Sequence, residues 1–100
     1  MTPEEQIMQF LNKRVFSPIL NSNDASPALK SGVRYTIMRM NERDAPGMID
    51  YFWSAMKGTP RSIGFAAKME REGFDRFEEV FVEFRLRFGD DFLRDARRGR

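Results

Sequence analysis

The nine residues Met48-Ile49-Asp50-Tyr51-Phe52-Trp53-Ser54-Ala55-Met56 carry the chain's only tryptophan and its densest run of large apolar side chains. Placed on a helix at about 100° per residue, their apolar positions sweep roughly half the circumference or more and leave Asp50, Ser54 and Lys57 as one polar stripe. A helix apolar over so wide an arc has to be surrounded, so the rest of the chain must be arranged around it. The predicted fold is therefore all-α, a compact bundle of about five helices around a central apolar helix spanning 44–57. At 100 residues, 41% of them hydrophobic and 13% aromatic, the chain has enough apolar side chain for one domain with one core.

Punctuation along the chain supports helices. All five prolines sit where a helix could begin, and four follow a hydroxyl residue: Thr2-Pro3, Ser17-Pro18, Ser26-Pro27 and Thr59-Pro60, with Ala45-Pro46 the exception. A hydroxyl at the N-cap followed by proline is a start signal, because the ring fixes φ and the missing N–H had no helical acceptor. The first predicted helix opens at Thr2, with Glu5 completing a capping box, and carries Ile7, Phe10, Leu11 and Val15 to about Phe16. Residues 17–20 form a single turn before the polar loop 21–25. The second helix runs from Ser26 through Leu29, Val33, Ile37 and Met40, the third is capped by Asp44 and closed by Gly58, and the fourth spans Thr59 to Gly73. The fifth starts at Asp75 with Glu78 in capping-box register, lines up Phe77, Val80, Phe81, Phe84 and Phe88, and stops at Gly89. Asp90 to Leu93 supply a last turn. The predicted organisation is a single helical domain over 1–93 and a basic flexible tail over 94–100. In the alternative, an α+β fold has strands near 33–40 and 79–88, because Val80, Val82, Phe84, Leu86 and Phe88 also alternate with period two.

Charge is distributed unevenly. The net +2 belongs to the tail, where Arg94, Arg97, Arg98 and Arg100 face one acid, Asp95, and the remaining body is slightly acidic. Within the body, 57–71 is basic and 72–92 is acidic. The chain has no histidine and no cysteine, which excludes Ser-His and Cys-His nucleophiles, imidazole acid-base chemistry, nitrogen or sulfur zinc sites and disulfides. Glu79 and Glu83, one helical turn apart, have oxygen ligands suited to a hard cation, but Arg76, Arg85 and Arg87 beside them favour a solvated face. Neither a Walker loop nor a dinucleotide fingerprint occurs. No catalytic residue, cofactor, metal or small-molecule substrate is implied, and the protein is expected to be non-enzymatic. The acidic start and the lack of any run near 18 apolar residues predict no signal peptide and no membrane span, and the lack of cysteine predicts a cytoplasmic protein.

Residues 48–74 carry one local likeness. A helix ending at Lys57, the turn Gly58-Thr59-Pro60 and the phrase Arg61-Ser62-Ile63-Gly64-Phe65-Ala66-Ala67-Lys68-Met69-Glu70-Arg71-Glu72-Gly73-Phe74 resemble the helix-turn-helix of winged-helix regulators, whose second helix is often polar at its start and alanine-bearing in its middle. The resemblance implies a DNA-binding regulator using helix 60–72, with Arg61, Ser62, Phe65 and Lys68 toward the major groove and Thr59 donating to a phosphate. The same stretch also reads as a helical hairpin packed through Ile63, Ala66 and Ala67.

Apolar surface exceeds what one core uses. On the fifth helix Val82 and Leu86 fall nearly opposite the phenylalanine stripe, and on the second Tyr35 and Met38 lie off the core line. These four residues predict a protein–protein surface, including a homodimer, and a protein partner or self-association is the expected mode of action.

Overall fold

The computed structural model describes residues 1–59, 62–74 and 78–98, with side chains placed for all of these except 58–59, 62–63, 65–66, 78 and 96–98. The expectations that rest on Asp75 and Phe77 lie outside the described residues.

Thr2 opens α1 (Pro3–Leu11) with a complete capping box: the Glu5 N–H donates to Thr2 Oγ1 at 3.1 Å, and the Thr2 N–H donates back to Glu5 Oε1 at 3.3 Å. The helix does not end at Phe16. It passes through a π-helical segment, Asn12–Phe16, directly into α2 (Ser17–Leu20), giving one continuous rod. The wide turn answers two demands. Pro18 has no N–H for the Arg14 carbonyl and its ring would press on it, so loosening the preceding turn relieves both. The second demand is burial. Ile7, Leu11, Val15 and Ile19 are all fully buried at strict four-residue spacing. On an ideal helix that spacing drifts about 40° per step, or about 120° across the four. One extra residue in a π turn takes back about 100° and returns all four to one line.

Ser26 caps α3 (Pro27–Asn41), its Oγ accepting from the Leu29 N–H at 3.1 Å. Leu29, Val33, Thr36 and Met40 form the buried line, and the Thr36 hydroxyl is satisfied by donating to the Gly32 carbonyl at 2.9 Å. Then α4 (Ala45–Lys57) buries Ala45, Met48, Ile49, Phe52 and Met56, with Asp50, Ser54 and Lys57 exposed. This is the central helix, in contact with α1, α3 and, beyond Gly64, α5 (Phe65–Arg71). The last major element on the core is α6 (Glu78–Arg87), whose Val80 and Phe84 are buried.

The all-α class holds, and the segments of the α+β alternative are helical: Val33 to Met40 lie in α3, and Glu79 to Arg87 in α6. Burial at intervals of four, Val80, Phe84 and Phe88, overrides the period-two alternation that suggested a strand. The start of the fourth predicted helix differs from expectation. Gly58–Thr59 (β1) pairs antiparallel with Ser62–Ile63 (β2), so no helix starts at Thr59; Gly64 precedes Phe65 with extended backbone and no side-chain cap. Two strands of two residues form a turn, not a sheet that could carry a fold. Toward the arginine-rich end, α7 (Asp90–Arg98) places Phe92 and Leu93 against the core. Asp90 and Asp91 in its first turn complement the helix dipole.

The core is aromatic. Phe52 has ring centroids at 4.9 Å from Phe84, 5.3 Å from Trp53, 5.8 Å from Phe81 and 6.4 Å from Phe16. Phe84 continues to Phe88 at 5.2 Å and Phe10 at 5.9 Å, and Phe88 to Phe92 at 4.9 Å. Tilted and edge-on geometries predominate, as ring quadrupoles favour.

Candidate functional surfaces

The order imposed by α4 decides which faces of the outer helices remain uncovered. Tyr35 is 55% exposed and Met38 51% on α3; Val82 is 56% and Leu86 79% exposed on α6. Apart from Met1 at the start of the chain, these are the exposed large hydrophobic residues among those described. They form two separate pairs. Tyr35 and Met38 are three residues apart on one helix, Val82 and Leu86 four residues apart on another, so each pair shares one helix face. Because Phe84 is fully buried between Val82 and Leu86 in sequence, the same helix that anchors the core presents this pair to solvent.

The residues of the helix-turn-helix resemblance fall on different elements. Thr59 lies in β1 and Ser62 in β2, Arg61 lies outside the described residues, and Phe65 is the first residue of α5. Lys68 is exposed. The helix expected over 60–72 is thus Phe65–Arg71 alone, about 10 Å long. Its end is a Schellman motif: the Phe74 N–H donates to the Met69 carbonyl at 2.8 Å and the Gly73 N–H to the Glu70 carbonyl at 3.1 Å, with Gly73 at φ 90°. Glu72, the C-cap of α5, is committed to a contact with the start of α3. Its carboxylate accepts from the Ser26 N–H at 2.6 Å and from the Ser26 hydroxyl at 2.7 Å. Those two bonds, the backbone one foremost, hold its pKa below the ordinary glutamate value. Glu4 does similar work at the other end of the molecule, accepting from the Ala45 N–H at 2.8 Å where α4 begins.

Glu79 and Glu83 do not act together. Glu83 is engaged by Arg14, with Nη1 2.7 Å from Oε2, while Glu79 is exposed on the same helix. Among the described residues no group of three or more acids forms a cage for a metal ion, and no helix is long and apolar enough to cross a membrane.

A feature that sequence reasoning missed lies where α1 and the π segment face α6. Gln6, Gln9, Phe10, Lys13, Arg14 and Arg87 line a cleft of about 300 Å³. Phe10 is its floor. The guanidinium carbons of Arg14 and Arg87 stand over that one ring, 5.6 and 5.2 Å from its centroid. Arg87 also stands 5.6 Å from the Phe88 ring. The stripe Gln6, Gln9, Lys13 at helical spacing was visible in the sequence, but the arrival of Arg87 from 74 residues beyond Lys13 is a tertiary fact.

Comparison with protein-family models, curated proteins and solved structures finds no match for the chain.

Proposed function

We propose that the protein acts by binding another protein chain through the outer face of α6, and that the first partner to consider is a second copy of itself. The observation that carries this reading is the exposure of Val82 and Leu86 on a helix whose opposite face is core. An apolar pair of this kind is stabilised when another apolar surface covers it, at about 25 cal/mol for each Å² removed from water. A two-fold contact does this with one patch, because each copy supplies the same two residues to the other. Tyr35 and Met38 offer a second, independent contact on α3. The reading requires no catalytic group, cofactor or metal. The DNA-binding alternative keeps Lys68 exposed on a short α5 and has no further observation in its favour.

The test is sedimentation velocity across a concentration series, comparing the native chain with the double variant Val82→Glu, Leu86→Glu. The native protein is expected to gain mass with concentration, and the variant to stay monomeric with unchanged helical circular dichroism. A native chain that remains monomeric at every concentration removes self-association through this face.

A further inference from the structure

The cleft over Phe10 concentrates positive charge on a body that is otherwise slightly acidic. Lys13, Arg14 and Arg87 meet there, and the carboxylate paired with them is Glu83, bound to Arg14. Among the described residues neither Lys13 nor Arg87 has an ion-pair partner, so two cationic charges in the cleft are uncompensated. The guanidinium carbons of both arginines lie 5.6 and 5.2 Å from the centroid of one ring, so an anion entering the cleft is attracted by both.

We propose that this cleft binds the phosphate group of a phosphorylated small molecule. The geometry is preorganised for an oxyanion. Arg87 stands over the edge-to-face pair of Phe10 and Phe88, whose centroids are 5.6 Å apart, and Arg14 is steadied by Phe10 and by its ion pair with Glu83, so both planar donor forks have partners that orient them before a ligand arrives. Glu83 occupies one Arg14 nitrogen and leaves other N–H donors of that group for a ligand. Lys13 adds a mobile point charge, and the Gln9 amide adds a neutral donor and acceptor at the rim. Because guanidinium groups already cover Phe10, recognition works through charge and hydrogen bonds and not through base stacking on that ring. The cleft volume stands at the lower end of the range for small-molecule pockets, which is room for an ester carrying its phosphate rather than for the bare anion alone.

The π turn takes part in this arrangement. Lys13 and Arg14 belong to it, and Gln9 and Phe10 stand four residues before them. The wide turn that keeps the buried line straight also keeps these pairs stacked along the cleft.

The test is a titration of the full-length chain, followed by amide and arginine side-chain NMR signals, with glycerol 2-phosphate, inorganic phosphate and sodium chloride at matched ionic strength. Saturable shifts at Gln9, Lys13 and Arg87 are expected with the ester, with weaker binding of inorganic phosphate and no equivalent shifts with chloride. Lys13→Gln and Arg87→Gln should each weaken the ester at least ten-fold, with Arg87→Lys recovering part of the loss. Lys13 is exposed, so its variant reports on binding without endangering the fold. Shifts that fail to saturate, that chloride reproduces, or that survive Lys13→Gln unchanged overturn the site. Inorganic phosphate binding as tightly as the ester overturns the small-molecule ligand.

Discussion

Single side chains tie together helices that the chain order keeps far apart. Glu72 is the clearest case: the residue ending α5 holds the cap residue that begins α3, through two hydrogen bonds from Ser26. Because the folded protein depresses the Glu72 pKa, its ionised form favours the native state. That contribution is fully present above the unfolded glutamate value and disappears as pH falls through the lower folded value. Glu72→Gln is therefore expected to lower the melting temperature at neutral pH, with the difference from the native chain shrinking as acid is added. Thermal melts at a series of pH values check this, and a difference that does not change with pH would remove the carboxylate from the account. Glu5 is depressed in the same direction, first by the Thr2 hydroxyl and then by the Thr2 backbone. Here sequence and structure agree, since a hydroxyl followed three residues later by glutamate is a local pattern. The Ser26–Glu72 contact had no such signal, because it spans 46 residues.

At the level of elements, helices were legible wherever burial and capping shared one period, as in α3 and α4. They were less legible where a tertiary demand changed the period. The run of fully buried residues Ile7, Leu11, Val15 and Ile19 can lie on one straight helix line only with a widened turn, and nothing local announces it apart from Pro18. If the π turn is one inserted residue accommodated, removing one should restore an ordinary helix. Deletion of the exposed Lys13 leaves the four at spacings of four, three and four, an α-helical face. Pro18, however, still lies four residues after Arg14 in the shortened chain, so that chain is expected to melt about ten degrees or more below the native one, and to lose its response to the phosphate ester. A melting temperature within a few degrees of the native one would show that phase alone, and not Pro18, sets the π turn. The ladder of β1 and β2 is the other departure. The start signal at Thr59 goes unused: Thr59 and Ile63 are β-branched and suit the extended pairing, whereas Ala66-Ala67 favour a helix interior, and α5 begins only at Phe65.

Across the whole molecule, one helix carries both the interior and the candidate interface. On α6 the fully buried Phe84 and the most exposed of the described large hydrophobic residues, Leu86, stand two positions apart. Phe84→Ala removes a ring that contacts Phe10, Phe52, Trp53 and Phe88, and is expected to cost about 3–5 kcal/mol. That is a large part of the roughly 5–15 kcal/mol that holds a domain together. Leu86→Ala should stay within about 0.5 kcal/mol for the monomer, since exposed positions seldom do more. Urea denaturation of both variants checks the contrast, and equal costs would mean that Leu86 is covered in solution. The overall plan, a central apolar helix with outer helices around it, was readable because the width of an apolar arc states how many neighbours it needs. Which outer faces meet one another was not, because the Arg87 contribution to the α1 cleft depends on the final placement of α6.

Trp53, the lone indole of the chain, sits 5.3 Å from Phe52 and 5.6 Å from Phe84, with the Arg85 guanidinium carbon 5.1 Å from its ring. Its neighbours therefore come from both the central helix and α6, and lifting α6 away would strip off the phenyl rings and the cation together. Excited selectively over the two tyrosines, this one chromophore makes the protein its own optical gauge: emission colour and quenching report the closure of α6 on α4 without any attached dye.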